Sequence, residues 1–308
     1  MPVIFLTGLT IYAHFKSGNL SKNGSSIFIL SVWSLLISLL ILIIIGFYVS
    51  FTLVFNTYWP DNATAQTFGY IIGTTLQSLI FCGSLFNIVI AINRALAMGS
   101  TKTNLILSRK AYNIIAMFIF PAGFVIAYVP PYVMTCCKVI YAYPSFSINF
   151  LAVVYDPIQD EYVMLEPVTY EYVHRPFFII ATIIPIVCYT YVFGYTFWMK
   201  QQMKTINSNI RAEIIRSILF ALIFFCYMCS WIYFDLMIVV SIAEASLAIN
   251  ITSMLFIVLE AATNGILQAT MIRTVRKAIQ KTFGTVMTSK KKKTAVIVQR
   301  TIQSVTTF

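Results

Sequence analysis

Long apolar runs recur along the chain, and each is about as long as a bilayer core is thick. A hydrocarbon core of about 30 Å requires roughly 20 apolar residues in a helix. Only 10% of the 308 residues are charged and 59% are hydrophobic, which leaves too little polar surface to coat a soluble globule. The sequence therefore predicts an all-α membrane protein. The runs of full length lie at residues 26–50, 67–94, 111–134, 176–199, 214–240 and 247–271.

A further apolar segment, residues 2–15, is shorter than the others. As a helix of about 14 residues it covers roughly 21 Å. It is either an interfacial or re-entrant segment or, as we expect, a first transmembrane helix whose beginning is missing from this chain. A cleaved signal peptide is disfavoured, because no basic segment precedes the run and no small-residue cleavage site follows it. The predicted fold is a seven-transmembrane helix bundle.

The charges are distributed unevenly between the two sides that this topology defines. All of the 21 Lys and Arg residues except Lys138 and Arg175 lie in segments that are cytoplasmic if the chain enters from outside. An excess of Lys and Arg is the usual signal of a cytoplasmic loop. Six helices starting in the cytosol would give the same orientation for residues 26–271. The net charge of +11 is explained by anionic membrane lipids, and a nucleic-acid partner is not expected.

Three glycosylation sequons give an independent prediction of sidedness. Asn62 lies in the loop after the 26–50 run, on the predicted outer face, where an N-linked glycan can be added. Asn19 and Asn23 lie in a predicted cytoplasmic loop. We therefore expect Asn62 to be modified and the other two sites to stay bare.

The largest predicted outer segment, about residues 135–175, contains two stretches with strand character. The stretches "INFLAVVY" and "YVMLEP" flank the turn-like "DPIQDE". This pattern predicts a β-hairpin that covers the outer end of the bundle. Cys136 and Cys137 also lie here, and no disulfide framework is expected, because adjacent cysteines bridge only with strain.

The overall plan resembles the rhodopsin-like G-protein-coupled receptors. The shared features are seven helices, an outside start, Arg94 at the cytosolic end of the third predicted helix, and a basic short helix after the seventh. The phrase "IAINRALAM" and the small size most resemble nematode serpentine chemoreceptors, such as those of class x. The resemblance implies a multi-pass plasma-membrane receptor. Such a receptor binds a small extracellular molecule within the bundle and activates a heterotrimeric G protein.

Polar residues of the third predicted helix share one face. Gln77, Ser84, Asn87 and Arg94 are separated by 7, 3 and 7 residues, so they should look into the bundle. The resemblance implies that Arg94 pairs with an acid of the sixth helix at rest and meets the G protein on activation. Asn93 stands where the family has a neighbouring acid, so the local half of this lock is absent.

The sixth predicted helix offers the distant half of the lock and a candidate switch. Glu213 either pairs with Arg94 or forms a solvated pair with its own neighbours. Trp231 in "CSWIYF" resembles the aromatic switch of the family, although Tyr233 stands where the family has proline. Asp235 lies one turn further out, and either faces the bundle as an anchor for a cationic or hydrogen-bonding ligand or reaches the headgroups.

The seventh predicted helix carries "EAATNGILQ", which resembles the Asn-Pro-x-x-Tyr motif of the family. Asn264 is retained, while Gly265 and Gln268 replace the proline and the tyrosine. Glu260 lies one turn earlier and is expected to share a central polar cavity with Asn87 and Asn264. A protonated, hydrogen-bonding Glu260 is expected there in preference to a bound cation.

Residues after the seventh helix divide into a short helix and a tail. Val275, Ile279 and Phe283 recur every four residues among Arg and Lys, which predicts a short amphipathic helix on the inner leaflet. Residues 1–283 form the predicted receptor domain. Residues 284–308 form a predicted disordered, basic cytosolic tail.

Catalysis is not expected, because His14 and His174 lie on opposite predicted sides and no metal-ligand cluster or nucleophile motif occurs. No cofactor is expected either. The seventh helix has no lysine that could form a Schiff base with retinal. The alternative is a small transporter or channel subunit that uses Asp235 and Glu260 as pathway acids, although no inverted repeat supports it.

Overall fold

A computed structural model describes most of the membrane-embedded part of the chain. The described residues are 1–17, 20, 27–55, 65–99, 109–133, 138–142, 147–151, 153–156, 161–164, 168–202, 208–244 and 247–282. The predicted tail at 284–308, the sequons at Asn19, Asn23 and Asn62, and the adjacent Cys136 and Cys137 lie outside them.

Helices make up nearly all of the described chain. The first half contains α1 (Pro2–Lys16), α2 (Ile27–Ile43), a π-helical turn (Ile44–Val49), α3 (Ser50–Phe55), α4 (Ala65–Gly99), α5 (Arg109–Tyr128) and the short α6 (Pro130–Val133). The second half contains a π-helical turn (Tyr170–His174), α7 (Arg175–Gln202), α8 (Ser208–Glu244), α9 (Leu247–Met271) and α10 at residues 273–282.

Six helices among the described residues are long and apolar enough to cross a membrane, so the chain is a multi-pass membrane protein. They correspond to the six full-length apolar runs of the sequence. Helix α1 has 15 residues and is not among these six long helices. It nevertheless packs in the bundle, between α2 and α9.

The surface of the bundle is apolar, as lipid contact requires. On α5, Met117 is 68% exposed and Phe118 is 70% exposed. Such residues would be unfavourable in water but cost nothing against acyl chains. The interior instead holds many small polar side chains, which hydrogen-bond between helices where no water competes.

Helix α4 lies at the centre and packs against α2, α5, α7 and α8. Its contact with α5 is close because Gly123 has no side chain. A Cβ atom there would lie 3.0 Å from the Ser78 carbonyl oxygen and 3.1 Å from the Cys82 amide nitrogen. On the other side of the bundle, α9 packs against α1, α2 and α8.

Four short strands lie between α6 and α7, in two antiparallel pairs. Strand β1 (Lys138–Ala142) pairs with β2 (Ser147–Leu151), and β3 (Val153–Asp156) pairs with β4 (Glu161–Met164). The sequence predicted a single hairpin in this segment. The residues of its first predicted strand are divided between β2 and β3, so each half pairs with a different partner. β1 contacts α4 and β2 contacts α9.

Helix α10 follows α9 after one non-helical residue, Ile272. Val275 is completely buried and belongs to the core of the bundle, while Arg276 and Lys277 are exposed. The helix is therefore amphipathic and attached to the bundle through its apolar face.

Candidate functional site

A small cavity lies in the middle of the bundle, where four helices meet. Its volume is about 30 Å³, which is room for about two water molecules. The lining comes from α4, α7, α8 and α9 and consists of Gln77, Ile80, Phe178, Tyr227, Ser230, Trp231, Ile257 and Glu260. Three residues predicted for the site, Gln77, Trp231 and Glu260, are therefore brought together here.

Two hydrogen-bond donors on the cavity lining have no partner among the described residues. They are the amide nitrogen Nε2 of Gln77 and the indole nitrogen Nε1 of Trp231, and both atoms are buried. The Gln77 residue is only 1% exposed. Burying a donor without a partner destabilises a protein by on the order of 1–3 kcal/mol. A ligand acceptor that forms the missing hydrogen bond in the cavity removes this penalty.

Aromatic rings form one wall of the cavity and continue behind it. Phe178 contacts Trp231 with ring centroids 5.6 Å apart, and Phe81 stacks on Phe178 at 5.1 Å. The buried His174 ring packs on Phe81 at 4.9 Å. Packed rings therefore connect Trp231 of α8 with Phe178 of α7 and Phe81 of α4.

Hydrogen bonds join the helices around the cavity. The Ser84 hydroxyl of α4 donates to the Tyr227 hydroxyl of α8 at 2.8 Å. The Ser230 hydroxyl of α8 donates across to the Phe256 carbonyl of α9 at 3.1 Å. These bonds join α8 to α4 and α9 within the turn that precedes the switch candidate Trp231.

Asp235 lies further out and does not line this cavity. Its carboxylate accepts a hydrogen bond from the Tyr170 hydroxyl and lies 3.3 Å from the Arg175 Nε atom. Arg175 also pairs with Glu171 at 3.1 Å. The sequence predicted that Asp235 faces the pocket and anchors a ligand. It did not indicate these partners, because Tyr170 and Arg175 are about sixty positions away in the sequence.

The C-terminal half of α4 carries Arg94, which is buried and only 3% exposed. It interacts electrostatically with Tyr189 of α7. The neighbouring Asn93 is also buried, and its side-chain oxygen accepts a hydrogen bond from the Tyr112 hydroxyl of α5 at 2.5 Å. The prediction that the polar face of α4 looks into the bundle is confirmed, since Gln77, Ser84, Asn87 and Arg94 are all buried.

Glu213, the predicted partner of Arg94, lies in the second turn of α8. Its side chain is outside the described part of the structure. The lock between Arg94 and Glu213 therefore remains a prediction from the sequence.

A buried polar seam joins α2 to α9, and sequence reasoning missed most of it. The Asn264 amide donates to the hydroxyls of Ser34 at 3.0 Å and Ser38 at 2.9 Å. It accepts from the Gln268 amide at 2.7 Å. Gln268 in turn accepts from Ser31, and His14 of α1 lies 3.2 Å from the same oxygen. The signal that could have found this seam is the spacing of Ser31, Ser34 and Ser38, which share one face of α2.

The three residues that were expected to share one central polar cavity thus do not lie together. Glu260 borders the cavity beside Trp231, whereas Asn264 belongs to the seam with α2. Asn87 is buried on α4. Among the described residues, no group of three His, Cys, Asp or Glu side chains could hold a metal ion.

The arrangement of the described helices is the fold of rhodopsin. In particular, the chain is similar to the crystal structure of squid rhodopsin, with a TM-score of 0.72 at 14% sequence identity. The match covers 93% of this chain and 83% of the rhodopsin chain. No protein-family model and no curated protein matches the sequence.

Proposed function

We propose that this protein is a chemosensory G-protein-coupled receptor. It binds a small extracellular molecule between α4, α7, α8 and α9 and activates a heterotrimeric G protein. The observation that carries the proposal is the central cavity, where two buried donors lack partners inside a rhodopsin-like fold. Buried donors that border a cavity can be satisfied by a ligand that brings an acceptor into it.

The proposed signal passes from the cavity to the cytoplasmic end of α4. The ligand displaces Trp231, α8 shifts, and the region around Arg94 opens for the G protein. Helix α8 has no proline, so this movement is a displacement of the whole helix and not a bend at a proline kink. The β1–β2 pair, which contacts α4 and α9, serves together with the β3–β4 pair as a lid on the outer side.

Finer features of the proposal follow from the sequence. Helix α1 is the seventh span, the receptor resides in the plasma membrane with its lysine-rich ends in the cytosol, and Asn62 carries a glycan. The phrase around Arg94 supports a place among nematode serpentine chemoreceptors. The basic α10 and the Lys-rich tail hold anionic lipids of the inner leaflet.

Nucleotide exchange on a purified G protein tests the proposal directly. The receptor, reconstituted in lipid nanodiscs, should accelerate exchange of GDP for a labelled GTP analogue, and Arg94→Ala should abolish the acceleration. Lys110→Ala is the matched control, because Lys110 is an exposed cytoplasmic cation at the start of α5. Acceleration by neither the wild type nor any variant would contradict the proposal. A ligand-dependent current in liposomes without exchange would support a transporter or channel subunit instead.

A further inference from the structure

We infer that the ligand is a small, uncharged molecule that accepts hydrogen bonds, such as a short ketone, aldehyde or ether. This inference rests on the proposed function and adds the chemical class of the ligand. The ligand oxygen accepts from Gln77 Nε2 and Trp231 Nε1, and its short alkyl groups pack on Ile80, Phe178 and Ile257.

The lining of the cavity selects an acceptor. Both Gln77 and Trp231 present N–H groups, and an indole nitrogen can only donate. The rest of the lining consists of the apolar or aromatic Ile80, Phe178, Tyr227 and Ile257 and the polar Ser230 and Glu260. A single carbonyl or ether oxygen satisfies both donors, and it leaves no polar group of the ligand against an apolar wall.

Asp235, the residue predicted to anchor a cationic ligand, already has partners within the protein. Asp235 is engaged by Arg175 and by the Tyr170 hydroxyl, and it lies outside the cavity lining. An ammonium group would have to displace Arg175 to reach Asp235, or to enter a cavity whose lining also carries the two N–H donors, which repel a cation. Neither route is favourable for an amine.

The size of the cavity limits the ligand. A cavity of about 150 Å³ accommodates benzene, whereas this one has about 30 Å³. A molecule of about five heavy atoms enters only if Trp231 and Phe178 move apart. The same displacement is the first step of the proposed switch, so binding and activation share one movement.

Three probes of nearly equal shape separate the alternatives. They are 2-butanone, its isostere 2-methyl-1-butene, in which a CH₂ group replaces the oxygen, and sec-butylammonium. Binding is measured by saturation-transfer NMR on the full chain in nanodiscs, with empty nanodiscs as the reference for partition into lipid. The ketone should bind about five to ten times more tightly than the alkene, and the cation should bind most weakly.

Variants assign the difference to the two donors. Gln77→Leu and Trp231→Phe should each lower the affinity for 2-butanone about fivefold and leave the affinity for the alkene nearly unchanged. The controls Gln201→Leu and Trp198→Phe remove the same groups from exposed positions on α7 and should have no effect. Asp235→Asn should also retain ketone binding.

Three outcomes would overturn the inference. The first is that the ketone and the alkene bind equally well. The second is that the cation binds most tightly and that Asp235→Asn or Glu260→Gln abolishes its binding. The third is that none of the probes binds. Nucleotide exchange on the G protein is scored separately. Exchange without ketone binding rejects this ligand class and leaves the receptor function standing, whereas ketone binding without exchange rejects the receptor function alone.

Discussion

Single atoms decide how closely helices of this bundle approach one another. Gly265 of α9 faces Thr7 of α1, and a Cβ atom at Gly265 would lie 2.5 Å from the Thr7 Oγ1 atom and 3.5 Å from its Cα atom. In the sequence, Gly265 stands at the proline position of the Asn-Pro-x-x-Tyr motif. The structure gives this glycine a packing role, because it lets the two backbones meet.

Gly265→Ala should therefore destabilise the protein by about 1–3 kcal/mol, since the added methyl group forces α1 away from α9. The midpoint of thermal unfolding in detergent measures this effect. Gly194→Ala is the control, because nothing lies within 4 Å of the added atom and alanine favours the helix. Thr7→Ala should partly rescue Gly265→Ala by removing the nearest atom. An unchanged midpoint in Gly265→Ala would contradict the packing role.

Individual polar residues were predictable from the sequence when their spacing marked a helix face. Gln77, Ser84, Asn87 and Arg94 were found in this way, because a polar residue in an apolar run must face the bundle. The partners of Asp235 were not predictable. Arg175 and Tyr170 meet it only through the packing of α7 against α8, which leaves no local signal.

Among pairs of helices, α2 and α9 have the most extensive polar contact described above. Three hydrogen bonds meet at Asn264, and a membrane interior leaves the partners no water to replace them. Hydrogen bonds between membrane helices contribute on average about 0.6 kcal/mol each. The seam therefore holds these two helices in one register.

Asn264→Ala should reduce the stability by about 1–2 kcal/mol, because the two bonds to Ser34 and Ser38 of α2 are lost together with the bond from Gln268 in the same helix. Thr270→Val in the same helix is the control, since the Thr270 hydroxyl is exposed and donates only to carbonyls of its own helix. Thermal unfolding of both variants at the same detergent concentration measures the difference. Equal midpoints for the two variants would show that the seam carries little of the stability.

The proposed lock between α4 and α8 gives a prediction about basal activity. Glu213→Gln keeps the shape of the side chain but removes the charge that Arg94 would bind, so basal nucleotide exchange should rise severalfold. Glu171→Gln makes the same change at an exposed position on the outer side and should leave basal exchange unaltered. An unchanged basal rate in Glu213→Gln would remove the lock from the mechanism and leave Arg94 as the G-protein contact.

Whole elements were easier to predict than their limits. A run of about 20 apolar residues directly predicts a membrane helix, so all six long helices were expected. Helices α4 and α8 extend beyond their apolar runs, to Ala65–Gly99 and Ser208–Glu244, because helical hydrogen bonds continue outside the hydrocarbon. No pattern in the sequence indicates that the predicted hairpin divides into two strand pairs. Strand pairing depends on tertiary contacts, such as those of β1 with α4 and of β2 with α9, as well as on local pattern.

At the scale of the whole molecule, the distribution of Lys and Arg and the position of the strands predict the same sidedness. Lys and Arg concentrate at one end of the bundle, and the buried Arg94 lies towards that end of α4, while the strand pairs and the Arg175 to Asp235 ion pair lie at the opposite end. The ligand route and the G-protein surface are assigned from this sidedness. If the orientation were reversed, the end of α4 that carries Arg94 would lie outside the cell and could meet no G protein.

Glycan mapping in a eukaryotic cell tests the orientation. Asn62 should carry a glycosidase-sensitive glycan, because its loop is predicted to face the lumen during synthesis, and Asn62→Gln should abolish the shift in mass. Asn19→Gln and Asn23→Gln are controls for sites on the other side and should change nothing. A tag before Met1 should be accessible outside intact cells only if α1 spans the membrane. A glycan on Asn19 or Asn23 with Asn62 bare would invert the molecule, and the assignment of Arg94 to G-protein contact would be wrong.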